Sequence, residues 1–324
     1  MATSRSWRPS HTLDGPHAAR LDEIEELNQI FSESFTERYR RDGMVGVRVP
    51  FLNPAVWRYA IRDAAEGAMV WRGERGDIVA FNIVHRSGVE GWMGPIAVRS
   101  EQQGVGAGKE IVRRGVDWLK VHGATVIGLE TMPRTMDNIG FYSAMGFSPG
   151  KLTLTTTLEA AYADRPAPLY GRLSGQDKDD MLEGCRELVA SLLPGYDHGR
   201  EIQLTDELAL GETLLLMKKD EIVGFALCHT APLVEGRARE DLRVLKLAVR
   251  DLSMLDEMVR MLADLARRSG TRRVSIRVQG EYAAAYQRLI ALRGRVRWSD
   301  LRMTLTGHAE RRPEKGMVLS NWEI

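Results

Sequence analysis

Gln103, Gly104, Gly106 and Gly108 stand in the run Arg99-Ser100-Glu101-Gln102-Gln103-Gly104-Val105-Gly106-Ala107-Gly108-Lys109, with glycine at three alternate positions. Glycine takes up positive φ at no steric cost and lets a backbone close on a bulky ligand. The flanking residues read as a strand, Trp92–Val98, and as a helix from Lys109 to Lys120. In that helix Ile111, Val112, Gly115, Val116 and Leu119 are spaced to bury one face. A turn of this kind presents successive amide N–H groups at the positive end of a helix dipole, where anions bind. The chemistry it predicts is pyrophosphate binding. Two nucleotide loops fail on spacing. Three residues, not four, separate Gly104 from Gly108-Lys109, and Glu110 follows where a P-loop needs Ser or Thr. Nor is Gly-x-Gly-x-Gly the Gly-x-Gly-x-x-Gly of dinucleotide folds.

A second signature follows the strand-like Thr125–Glu130. It is the run from Pro133 to Phe147, ending Phe141-Tyr142-Ser143-Ala144-Met145-Gly146-Phe147. Together with Pro95-Ile96-Ala97-Val98 leading into Gln103-x-x-Gly106-x-Gly108, this resembles the two motifs of the GCN5-related N-acetyltransferase (GNAT) superfamily, over roughly residues 20–158. The resemblance implies acetyl-CoA as donor substrate and no metal. It implies that the amides of Val105, Gly106, Ala107, Gly108 and Lys109, with Gly104 and Gln103 beside them, hold the pyrophosphate. The strand Ile96-Ala97-Val98 would splay from its neighbour at a bulge and pair with the pantetheine arm through its main chain. Asn138 or Thr135 would hydrogen-bond that arm. Tyr142 would be the general acid, since a phenol of pKa ~10 can protonate a departing thiolate.

An acceptor amine of pKa ~10.4 must lose a proton before attack. The strand position that carries a glutamate base in the histone-modifying branch is Trp92 here, which cannot act. Glu90, two residues earlier, and Glu130, at the end of the following strand, are the candidates. His85 reads as structural, because His229 echoes it in a part of the chain with no glycine turn. Phe35–Trp57, with Arg38, Tyr39, Arg40, Arg41, Arg48 and Trp57, is expected to meet the acceptor.

The elements that must position these residues occur twice. Ile78-Val-Ala-Phe-Asn-Ile-Val-His85 is echoed by Ile222-Val-Gly-Phe-Ala-Leu-Cys-His229, and Ile96-Ala-Val-Arg99 by Leu247-Ala-Val-Arg250. Self-similarity on this scale indicates duplication. The second copy runs Asp251-Leu-Ser-Met-Leu-Asp-Glu-Met-Val259 where the first has its glycines, so Leu252, Met254 and Leu255 would fill the pyrophosphate space. The expected fold is α/β (α+β): two GNAT-like domains in tandem, each a mixed, mostly antiparallel sheet flanked by helices and splayed at the CoA-binding strand pair. The expected boundaries are a tail over 1–17, a domain with the CoA loop over 18–160, and a degenerate domain over 161–324.

A chain of 324 residues has room for two such domains, and a net charge of +1 argues against a nucleic-acid or membrane-surface partner. The polar segment Met1–Pro16 has no apolar core of a signal peptide, and no window has the length of a membrane span. Cys185 and Cys228 read as buried reduced thiols, which suits the cytoplasm. The sequence therefore predicts a cytoplasmic N-acetyltransferase acting on a small-molecule amine, either a monomer with pseudo-dimeric domains or a homodimer. The alternative is a non-catalytic acyl-CoA-binding regulatory or scaffold protein.

Overall fold

The near-continuous apolar run over Ile78–His85 and its echo makes strands buried on both faces, and each strand lies within the sheet of one half of the molecule. The computed structural model describes residues 13–163 and 166–322. The first half runs β1 (Asp14–Ala18), α1 (Ile24–Arg41), α2 (Pro54–Ala64), β2 (Ala68–Arg72), β3 (Ile78–Ser87), β4 (Glu90–Val98), α3 (Ala107–Val121), β5 (Val126–Thr131), α4 (Met136–Ser143) and β6 (Phe147–Glu159). The second runs α5 (Gly175–Leu192), α6 (Gly199–Glu207), β7 (Gly211–Lys218), β8 (Glu221–His229), β9 (Asp241–Val249), α7 (Leu255–Arg268), β10 (Arg273–Gln279), α8 (Ala283–Ala291), β11 (Arg295–Leu305) and β12 (Met317–Ser320). The tail expected over 1–17 is shorter than that, because Asp14–Ala18 pairs with β2 as an edge strand. Residues 1–12 lie outside the described part.

Local chemistry explains the elements that frame the site. Asn53 caps α2 by accepting a 2.9 Å hydrogen bond from the Ala55 amide, and Pro54 occupies the first turn. In α3 the buried face is Ala107, Ile111, Val112, Gly115, Val116 and Leu119, as the spacing requires. Gly115 lets this helix lie against the sheet: a Cβ there would come within 2.6 Å of Asn82 Nδ2 and 2.7 Å of Met93 Sδ.

The two halves share one sheet, in the order β1-β2-β3-β4-β5-β11-β6-β10-β9-β8-β7, with β12 added on β9. β11, from the second half, is inserted between β5 and β6 of the first. β6 in turn pairs with β10 from Arg273↔Glu159 to Gln279↔Thr153. Each half thus completes its neighbour's sheet, and the exposed edges that β5 and β10 would otherwise present are covered. The break in sequence near residue 160 does not divide the sheet. Cys185 and Cys228 are both buried free thiols, and burial pushes them up, Cys185 to about 12. Among the described residues no helix is long and apolar enough to cross a membrane.

Candidate active site

β4 and β5 run parallel from Glu90↔Val126 to Met93↔Leu129, and there the pairing stops. On its other side β4 carries one extra residue between Met93 and Ile96 against Val84 and Asn82 of β3, a bulge at Gly94-Pro95. The bulge turns Ile96–Val98 away from β5. The Arg99 amide donates to Val79 O at 2.9 Å, so by strand alternation the main-chain groups of Ala97 also face β3, while those of Ile96 and Val98 face the gap. Gln103 Nε2 and, more weakly, Ser34 Oγ donate to Val98 O, at 2.8 and 3.4 Å. The Ile96 amide and carbonyl and the Val98 amide remain open along the gap.

At the end of this edge the chain turns through Gly104 (φ +81°) and Gly106 (φ +97°), and Gly106 becomes the N-cap of α3. Among the described residues the amides of Gly104, Val105, Gly106, Ala107 and Gly108 have no hydrogen-bond partner in the protein. The Lys109 amide differs from expectation: it is taken by Gly106 O at 3.1 Å, closing the first turn of the helix. Lys109 still lines the cleft at the turn. Arg41 Nη1 reaches Gln103 Oε1 at 3.1 Å, which brings a second cation to the turn.

These groups line a cleft of about 470 Å³ together with Arg38, Asn138, Phe141 and Tyr142. Tyr142 packs edge-on against Phe141 (5.1 Å between centroids) and Phe147 (6.2 Å). Burial pushes its hydroxyl up to about 12, so it is a protonated donor at neutral pH. Asn138 borders the cleft, whereas Thr135 does not: it is fully buried and its hydroxyl donates to Asp42 at 2.8 Å.

A second cavity of about 220 Å³ lies beside the bulge, lined by Trp92, Met93, Gly94 and Pro95, with Phe31, Phe35 and Trp322 as further walls. Phe35 borders both cavities. The polar groups of the smaller one are His85, Glu130, Arg277 and Asp300. Glu130 accepts from Thr153 at 2.6 Å and is paired with Arg277 and with Arg302 at 3.0 Å. Burial pushes its carboxyl up, but the two guanidinium groups outweigh this and hold it below the ordinary value. Glu90 is apart from both cavities. It is fully buried, accepts from Trp92 Nε1 at 2.9 Å and from Ser320 Oγ at 2.6 Å, and burial raises its pKa. The reason is depth: four residues before Gly94 is about 13 Å down the strand. Of the segment expected to meet an acceptor, Trp57 is core and donates to Asn28 at 2.8 Å, whereas Arg38 and Arg41 belong to the larger cleft.

In the second half β9 and β10 likewise part after Val244↔Ile276. Their gap is filled. β12 pairs with β9 from Met317↔Val249 to Ser320↔Lys246, along the Leu247–Val249 segment that echoes Ile96–Val98. Tyr282 Oη donates to Val318 O at 2.9 Å and accepts from the Val318 amide at 3.2 Å, locking the strand in place. Leu255 is buried, and Leu252 and Met254 pack on the same core. The chain's own strand therefore fills, in this half, the gap that stays open beside Ile96–Val98 in the first. From β12 the chain runs on to Trp322, a wall of the smaller cavity. Arg277, Asp300 and Trp322 were not found by sequence reasoning, because only the strand exchange and the course of β12 bring them to the site; Asp63, which α2 sets beside His85, was missed as well.

Residues 24–147 match the family model described as Acetyltransferase (GNAT) family. Among solved structures, the chain is similar to a candidate acetyltransferase from Pyrococcus horikoshii (14% identity, TM-score 0.67, covering 99% of this chain and 98% of that one). A tandem GNAT protein from the clavulanic acid biosynthesis pathway aligns at 12% identity and TM-score 0.58, over 90% and 97% of the two chains. Saccharomyces cerevisiae N-myristoyltransferase with bound myristoyl-CoA aligns at 10% and 0.58, over 95% and 85%. No curated protein matches the chain in sequence. The class defined by the splayed sheet and glycine turn is the GNAT fold. Residues 24–147 match that family, and the whole chain shares the fold of GNAT proteins, a tandem one among them.

Proposed function

We propose that the protein is an acetyl-CoA-dependent N-acetyltransferase that acylates a primary amine of a small molecule by direct attack in a ternary complex. The observation that carries this reading is the continuous open edge of β4. It leads from unpartnered amides at Gly104–Gly108, past the open Val98 amide and the open main-chain groups of Ile96, to a bulge with a second cavity beside it. The first part suits a pyrophosphate on a pantetheine arm, and the bulge is where a thioester would meet an amine held in the smaller cavity. Main-chain donors at the bulge would polarise the thioester carbonyl, a contribution of roughly 3 kcal/mol per donor. Tyr142 would supply the proton for the departing thiolate.

The test is release of free thiol from acetyl-CoA over a panel of amino acids, polyamines, aminoglycosides and peptide N-termini. Turnover with any of these amines supports the reading, whereas CoA binding without transfer to any of them favours a binding module. Calorimetric titration with CoA should give one site per chain, since β12 fills the second gap; two equivalent sites would contradict that argument. Tyr142→Phe should lower kcat about 100-fold, the low end for loss of a general acid, while CoA affinity stays within about threefold. A loss of affinity with unchanged kcat would make Tyr142 a packing residue.

A further inference from the structure

We propose that His85 is the general base that deprotonates the acceptor amine, with Asp63 as its positioning residue; this rests on the acetyltransferase reading above. His85 Nδ1 lies 2.6 Å from Asp63 Oδ2, and both side chains are buried. A carboxylate only accepts, so Nδ1 carries a proton, and in the neutral ring the lone pair is on Nε2. Nε2 is buried without a hydrogen-bond partner among the described residues, and His85 lines the smaller cavity beside Gly94 and Pro95 of the bulge. A fully buried basic nitrogen left unpaired costs free energy that a merely structural histidine would recover through a partner.

The second copy shows the structural version. There the echoing His229 has its Nε2 2.9 Å from the Thr205 hydroxyl and its ring against Tyr59. The competing base, Glu130, has its oxygens engaged by Thr153 and two guanidinium groups. His85 is the group in the cavity with a basic lone pair to give.

The step balances as follows. Nε2 of His85 takes one proton from R–NH₃⁺ and later passes it to solvent. The nitrogen lone pair forms the C–N bond to the thioester carbonyl carbon, and the C–S bond breaks with its electron pair left on sulfur. The thiolate takes the Tyr142 proton, and the second proton leaving nitrogen restores the phenol. Amide, thiol and one H⁺ result.

The charged groups around His85 are Asp63 on α2, Glu201 on α6, Lys246 on β9, and Glu130, Arg277 and Asp300 across the cavity. His85→Gln should lower kcat about 100-fold at neutral pH. Asp63→Asn, which offers Nδ1 a donor and so moves the ring proton to Nε2, should lose nearly as much. Both variants should bind CoA within about threefold of the wild type in calorimetry, which also reports that they are folded. The best acceptor of the panel and an analogue fluorinated beside its amine, hence already neutral at assay pH, separate the roles. With the fluorinated acceptor the loss in His85→Gln should shrink to about fivefold or less. Rates within about threefold of the wild type in both variants, or equal losses with both acceptors, would overturn the assignment. A wild-type protein that transfers to no amine at all would instead overturn the acetyltransferase reading itself.

Discussion

Gly106→Val is expected to reduce CoA affinity about a thousandfold while leaving the fold intact. Gly106 sits at φ +97° as the N-cap of α3. A β-branched residue there is strained by about 1–3 kcal/mol. The loop relieves the strain by turning its amides away from a common point. Hydrogen bonds to a charged group contribute about 1.5–3 kcal/mol each, so losing one of them on top of the strain gives roughly 4 kcal/mol, or three decades in affinity. Calorimetry with CoA measures this directly, and the melting temperature should move little because the loop is exposed. Gly108→Ala is the contrast. Gly108 does not need positive φ, and its Cβ would meet the Phe141 ring at 3.4 Å, an ordinary contact. The loss there should stay within about tenfold. Equal losses in the two variants would mean that the glycines serve packing on Phe141 rather than presentation of amides to an anion.

This turn was the most legible part of the chain because its constraint is local. Positive φ at alternate positions restricts the residue type wherever the turn occurs, so the glycines mark their own conformation. The apolar stripe of α3 was legible for the same reason. Met317-Val-Leu-Ser320 was not. Four apolar or small residues make a strand, but nothing within them says which open edge they join, and it is the gap beside Leu247–Val249 that decides. β11 is the same case: its pairing with β5 and β6 depends on an edge 150 residues or so earlier in the chain. Glu90 shows a different failure. Alternation places it on the face of Trp92 but carries no information about distance from the bulge. The echo of His85 by His229 suggests a shared role, yet the partners of the two histidines, Asp63 and Thr205, come from helices whose sequences do not resemble one another.

The exchange of β6 and β11 has an energetic consequence that meets at Arg302. This side chain, on the strand lent by the second half, is only 3% exposed. It pairs with Glu130 at 3.0 Å and with Glu310 at 2.6 Å, donates to Ser320 O at 2.6 Å, and lies 4.0 Å from the Trp92 ring centroid. It therefore ties β5, β11, β12 and one wall of the smaller cavity together. Arg302→Met keeps much of the volume but leaves two buried carboxylates short of a partner, which costs about 3–5 kcal/mol. Glu130 keeps Arg277 and Glu310 keeps Arg312, so the low end is expected: about 3 kcal/mol, or on the order of a hundredfold in the folding equilibrium, read from the urea midpoint at constant slope. The sign of the pH dependence follows from Glu130. Its carboxyl is held below the ordinary value in the folded protein, so its contribution is full above the unfolded value near ~4.3 and is lost as pH falls through the folded one. Arg302 supplies part of that contribution, so the gap between wild type and variant should narrow on acidification. A gap that stays constant from neutral pH down to about 3 would remove Glu130 from the account. The glycine turn lies at the far end of β4 and shares none of these partners, so folded Arg302→Met should bind CoA nearly as well as the wild type while acceptor KM rises. That separation is expected if the first copy binds the donor alone and the second copy's strands complete the acceptor cavity.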